Sequence, residues 1–359
     1  MAVQFSILVI ATALTVAAGW LARRSDRDPA SRPAFLLAWA ALLSGFVSYA
    51  LLTYLSLLGV DTATAQEMGL GADVALRGLA GVLLAAGSAI YLWLFVWGRG
   101  LRRVIARLLP APRAERWDDT TPWREQNRGF DPDSMAHAFG LGAVQLLFFQ
   151  TLTDFVIAGG QAGLAAAGLD QTEVMLSSAF TAILLLSGTL AGVGLGQDRD
   201  WRQVLTRLGL RPPTANELIV GAGMAVVLLA FQFCAGGVWM MLAPQDVFDQ
   251  QTQLSQAIAG SVASLPAAFL VALFSSVGEE IAFRGALQPV VGLWPTAALF
   301  ALTHVQYQFT PALLIILAVG VVLGWTRKHY GTAAAIATHF LYNFSLLALA
   351  VAASQLIGQ

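Results

Sequence analysis

The chain has 359 residues, of which 57% are hydrophobic and only 11% charged, with a mean hydropathy of +0.68. Soluble domains carry about a quarter charged residues, so a soluble globular protein is excluded. The net charge of -1 selects neither acidic nor basic partners, and no nucleic-acid partner is expected.

The apolar residues fall in runs near the roughly 20 needed to cross a bilayer. They predict an all-α polytopic membrane protein, a bundle of about ten transmembrane helices (eight to ten). The opening run "MAVQFSILVIATALTVAAGWLARR" lacks the basic start of a secretory signal and reads as a first membrane helix, 3–21. Further helices are expected at 34–58, 76–98, 138–158, 174–196, 217–243, 262–290, 293–308, 311–326 and 332–353. Arginines follow the first, third and fifth of these, and Arg327 and Lys328 follow the ninth. Asp61, Glu67, Asp73, Asp170, Asp246 and Asp249 fall in the intervening loops. The positive-inside rule then places both termini outside and the basic loops in the cytosol of a multi-pass cell-membrane protein.

Four regions follow from this pattern. Residues 1–98 form an N-terminal three-helix region, 99–136 a cytosolic arginine-rich linker, 137–258 accessory helices, and 259–353 a four-helix core. Within the linker, "LRRVIARLL" reads either as an amphipathic helix on the anionic inner leaflet or as solvated chain. "GVGLG" lacks the strand-turn-helix context of a dinucleotide site, and small residues at helix contacts account for it. Cys234, the single cysteine, is expected to be a small buried side chain. His137 and His329 flank helices and are expected to be solvated.

Ionisable side chains at membrane depth cost roughly 2.5–3.5 kcal/mol on insertion scales, so those present are functional candidates. They are Asp154, Glu279, Glu280, Arg284, His304 and His339. Glu280 and Arg284 are four apart on one helix face and are expected to pair. Glu279, about 100° around the helix, is left for proton chemistry. A turn centred near Gly292 separates Glu279 from His304 almost symmetrically, so two antiparallel helices would carry both to a similar depth. His339 lies ten residues past the next turn, with Asn343 on its face. An acid, two imidazoles and an amide at one level form a catalytic or metal-binding constellation. Asp154, with Gln145 and Gln150, either lines the same cavity or sits near the outer interface.

Three motifs carry a resemblance: "EEIAFRG" from Glu279, "FALTH" from Phe300 to His304, and "HFLYN" from His339 to Asn343. Their order and separation resemble the CAAX-protease and bacteriocin-processing family of intramembrane proteases, over about residues 262–350. The resemblance implies an endopeptidase that cuts membrane-associated or lipid-linked substrates near the cytosolic face. It implies Glu279 as general base acting with His304 on a water, and Glu280 and Arg284 ordering the site beside Phe300. His339 and Asn343 would stabilise the oxyanion. No cofactor is expected. Zinc is the metal that Glu279, His304 and His339 could take, although HExxH is absent. Two alternatives stand beside the protease: a non-catalytic membrane adaptor or bacteriocin-immunity protein on the same fold, and a proton-coupled transporter. The partners expected are a peptide or membrane-protein substrate and the lipid bilayer.

Overall fold

The computed structural model describes residues 2–59, 73–109, 129–166, 170–307 and 311–357. The loop with Asp61 and Glu67 and the middle half of the arginine-rich linker, 110–128, lie outside the described residues. The N-terminal helices are α1 (Ala2–Ser25), α2 (Arg32–Leu58) and α3 (Val74–Trp97). A short α4 (Arg99–Leu108) follows, so "LRRVIARLL" is helical. The middle of the chain forms α5 (Met135–Ala158), α6 (Gly160–Ala166), α7 (Gln171–Gly192), α8 (Trp201–Arg207), α9 (Ala215–Leu242) and α10 (Gln245–Ser261).

The last part begins with α11 (Leu265–Glu279), which runs into a π-helical segment, Glu280–Leu287, and one further turn, α12 (Gln288–Val291). It continues with α13 (Leu293–Leu302), α14 (Pro311–Tyr330) and α15 (Thr332–Ile357). Among the described residues, eight helical runs are long and apolar enough to cross a membrane, with α13 a shorter apolar helix.

Helix starts follow local chemistry. Ser134, Asp170 and Ser264 each accept a first-turn backbone N–H, and Asp200 and Thr214 open complete capping boxes. Gly292, with φ +89°, makes the turn expected near it. The helix expected over 293–308 stops at Leu302. There the side chains of Thr303 and His304 both bond the Phe300 carbonyl, and a 3-10 turn follows. Ten residues reach only about 15 Å, so α13 is too short to cross a bilayer.

Packing joins the N-terminal helices to the rest. α1 packs on α7, α3 on α5, α11 on both α7 and α15, and α9 on α15. One apolar cluster runs from Ala18 and Trp39 through Phe139 to Phe283, Phe300 and Tyr342. Where α11 crosses α7, a Cβ on Gly278 would come within 2.8 Å of Ala182 Cα, so only glycine allows this approach one residue before the acids.

The basic loops gather at one end of the bundle. Arg23 pairs with Asp198, and Arg27 donates to Gln197. Asp26 accepts from Ser134, and Thr332 donates to the Leu208 carbonyl.

Two expectations need correcting. Cys234 is exposed on the outside of α9. In a membrane helix the apolar exterior faces lipid, so a small apolar side chain gains nothing by turning inward. His137 is half-buried, accepts the Asp131 N–H at 3.0 Å and stacks on Phe130, because the chain folds back over it before α5 begins. His329 is exposed, as expected.

Candidate active site

Three elements meet inside the bundle. The end of α11 and the π-helical segment bring Glu279, Glu280 and Arg284. The end of α13 brings Phe300 and His304, and α15 brings His339 and Asn343. π-helical turns are rare and concentrate at functional sites.

Glu280 and Arg284 are both fully buried, with Arg284 Nη1 3.1 Å from Glu280 Oε1. Arg284 Nη2 donates to the Gly320 carbonyl of α14 at 3.3 Å. The guanidinium lies 4.1 Å from the centre of the Phe300 ring, a cation–π contact. Phe300 therefore holds the arginine from the α13 side.

The same Glu280 oxygen accepts from His339 Nδ1 at 2.9 Å. With the proton on Nδ1, Nε2 becomes the acceptor, and Asn343 Nδ2 donates to it at 3.0 Å. The amide also donates to Ser275 Oγ at 3.2 Å. A continuous polar chain thus runs Arg284, Glu280, His339, Asn343, Ser275.

His304 has one nitrogen in use. Its Nδ1 donates to the Phe300 carbonyl at 2.8 Å, which fixes the tautomer and leaves Nε2 with a lone pair. Glu279 and His339 both lie within electrostatic reach of it. The Phe300 ring centre is 4.7 Å from that of His304 and 6.0 Å from that of His339. Oε2 of both Glu279 and Glu280 is buried with no hydrogen-bond partner among the described residues, and Glu280 differs in that its Oε1 is doubly engaged. Glu279, His304 and Asn343 are half-buried, so they remain within reach of a ligand. A cavity of about 410 Å³ is lined by Gln306 and Tyr307, the second and third residues after His304, and by Gln232, which accepts from Tyr342 Oη.

All seven residues named from the motifs come together. Ser275 was not singled out in the sequence, although it stands four residues before Glu279. The Glu280–His339 bond was also not foreseen, because only Arg284 shares a helix with Glu280. Asp154 lies elsewhere: it accepts from Gln150 at 3.1 Å and lines a separate, larger cavity that Glu279, His304 and His339 do not touch.

The donor set does not suit zinc as it stands. Among the described residues no three His, Cys, Asp or Glu side chains are grouped to hold one ion. Both nitrogens of His339 are already in hydrogen bonds, so it has no lone pair to offer alongside Glu279 and His304.

No curated protein and no solved structure matches the chain significantly. Residues 261–345 match the family model described as "Type II CAAX prenyl endopeptidase Rce1-like". The matched segment is about a quarter of the chain and contains every residue of the polar chain, along with Glu279, Phe300 and His304. A multi-pass membrane protein therefore carries an Rce1-like domain at residues 261–345.

Proposed function

We propose that the protein is an intramembrane endopeptidase that hydrolyses a peptide bond of a membrane-associated or lipid-linked substrate. The observation that carries this reading is the chain from Glu280 through His339 to Asn343, with Glu279 and His339 both within electrostatic reach of His304, inside the segment that resembles a family of endopeptidases.

Glu279 acts as general base. It takes a proton from a water that His304 orients through its Nε2 lone pair, and the hydroxide adds to the substrate carbonyl carbon. The new oxyanion needs fixed donors. At rest both Asn343 N–H groups are in use. The substrate oxygen replaces His339 Nε2 as the acceptor of one of them, while Ser275 keeps the other. His339, its Nδ1–H held by Glu280, keeps the neighbouring Asn343 amide in position. Collapse of the intermediate breaks the C–N bond, and Glu279 returns its proton to the leaving amine.

No metal enters this scheme. Protein purified without chelator is expected to contain well under one equivalent of zinc, and dialysis against a strong chelator should leave cleavage intact. Stoichiometric zinc that is lost together with activity, and restores it on re-addition, would overturn the scheme.

Ser275 is a positioning residue here. Removing one hydrogen bond of about 0.5–1.5 kcal/mol predicts a roughly 2–10-fold fall in kcat for Ser275→Ala, with KM nearly unchanged. Ser275→Thr should restore the rate. Equal loss in both variants would show that packing, rather than the hydroxyl, matters at this position.

The decisive experiment compares new chain termini in membranes that hold either wild type or Glu279→Gln. Products present only with wild type support the protease. Identical profiles would sink it and favour an adaptor on the same fold.

A further inference from the structure

A second, larger cavity lies away from the polar chain. It holds about 1090 Å³ between α1, α2, α5, α7 and the back of the π-helical segment. Ligand sites run to about 300–1,000 Å³, so this volume suits a large ligand. Its walls are apolar, with Leu14, Leu42, Phe46, Leu146, Phe180 and Leu184 among them.

The ends of the cavity differ. At the basic end it is bordered by Arg23, Arg199, Arg202 and Arg207, with Asp198 bridging the first two of these. Arg202 is exposed. At the far end stand Gln150 and Asp154. Asp154 is seventeen residues along α5 from His137, about 25 Å at 1.5 Å per residue. A lipid tail fills one leaflet, about half of a core roughly 30 Å thick, and ends short of that carboxylate.

Four glycines lie along the cavity: Gly45 on α2, Gly140 on α5, and Gly188 and Gly192 on α7. A Cβ at Gly188 or Gly192 would meet Thr15 or Phe139, but one added at Gly45 or Gly140 would meet nothing within 4 Å. These two serve no close helix approach. They leave the cavity wide instead.

We propose that this cavity binds one anionic phospholipid from the leaflet at the basic end, its phosphate at the arginine mouth and a tail along the apolar walls. The chemistry selects this occupant: the ligand must be anionic at one end and apolar over the length of a leaflet. The bound lipid supports the segment that carries Glu280 and Arg284. Ala282, Ala286, Leu287 and Val290 form part of the wall, and Arg207 at the mouth donates to the Gly285 and Ala286 carbonyls. Lipid binding does not depend on the protease reading.

The test uses the full chain in detergent, with retained lipid counted by native mass spectrometry after exposure to phosphatidylglycerol or phosphatidylcholine. One phosphatidylglycerol per chain should be retained well beyond phosphatidylcholine, and it should raise the melting temperature. One arginine near an anionic headgroup predicts about fivefold weaker retention for Arg202→Ala. Gly140→Leu and Gly45→Leu, on different helices, should each abolish retention. Gel filtration and melting establish which of them fold, and either one alone decides the steric arm. If neither folds, Arg202→Ala and the lipid comparison decide. Equal retention of the two lipids, unchanged retention in a folded leucine variant or in Arg202→Ala, or displacement by soluble glycerol phosphate would overturn the proposal.

Discussion

Glu279→Gln is expected to lower cleavage by roughly 10²–10⁴-fold, the range general acid–base catalysis contributes, while leaving the protein folded. The basis is the contrast between two neighbouring carboxylates. Both leave Oε2 without a hydrogen-bond partner among the described residues, but Oε1 of Glu280 is held by Arg284 and His339. A glutamine of nearly the same shape breaks no hydrogen bond there and cannot take a proton. Product formation and thermal melting, measured on the same preparation, check both halves of the expectation. A stable Glu279→Gln that still cleaved would remove Glu279 from the role of base.

Arg284→Ala should act first on stability. Breaking a fully buried pair by removing one partner costs about 3–5 kcal/mol, because the other charge is stranded. Here the stranded group is Glu280, at 0% side-chain exposure, and the Gly320 carbonyl and the Phe300 face lose their partner as well. Arg284→Lys should rescue little, since a single ammonium cannot serve a carboxylate, a carbonyl and a ring face together. Lower yield and an earlier melt should accompany lost activity. A variant as stable as wild type yet inactive would mean that Arg284 meets the substrate instead.

Much of the bundle can be read in the sequence because the bilayer imposes it. Apolar runs, capping residues and charged loops give α2, α3, α5, α7 and α9 to within a few residues. What escaped the reading lacks that signal. α10 mixes glutamines with apolar residues and has no run long enough to cross, and α6 and α8 are seven residues each. The stopping of α13 at Leu302 depends on side chains turning back onto one carbonyl, which no hydropathy profile contains.

The same contrast holds at the candidate site. Glu280 with Arg284 follows from spacing within one helix. Glu280 with His339 joins positions 59 residues apart and needs the packing of α15 against the π-helical segment. Ser275 was hidden for a related reason: its partner Asn343 is on another helix, so nothing local distinguishes it from the serine that follows.

The π-helical segment also changes what a fixed motif spacing means. A wheel drawn at constant pitch treats each residue of "EEIAFRGAL" as one equal step of rotation. The wider turn takes smaller steps, so everything beyond Glu280 arrives out of phase with the wheel that suits α11. Alignment of the two acids with the arginine is therefore not the alignment of a regular helix. The interval between Glu279 and Gly292 encodes a local change of pitch as well as a depth, and a single-residue insertion or deletion inside it would rotate one half of the helix against the other.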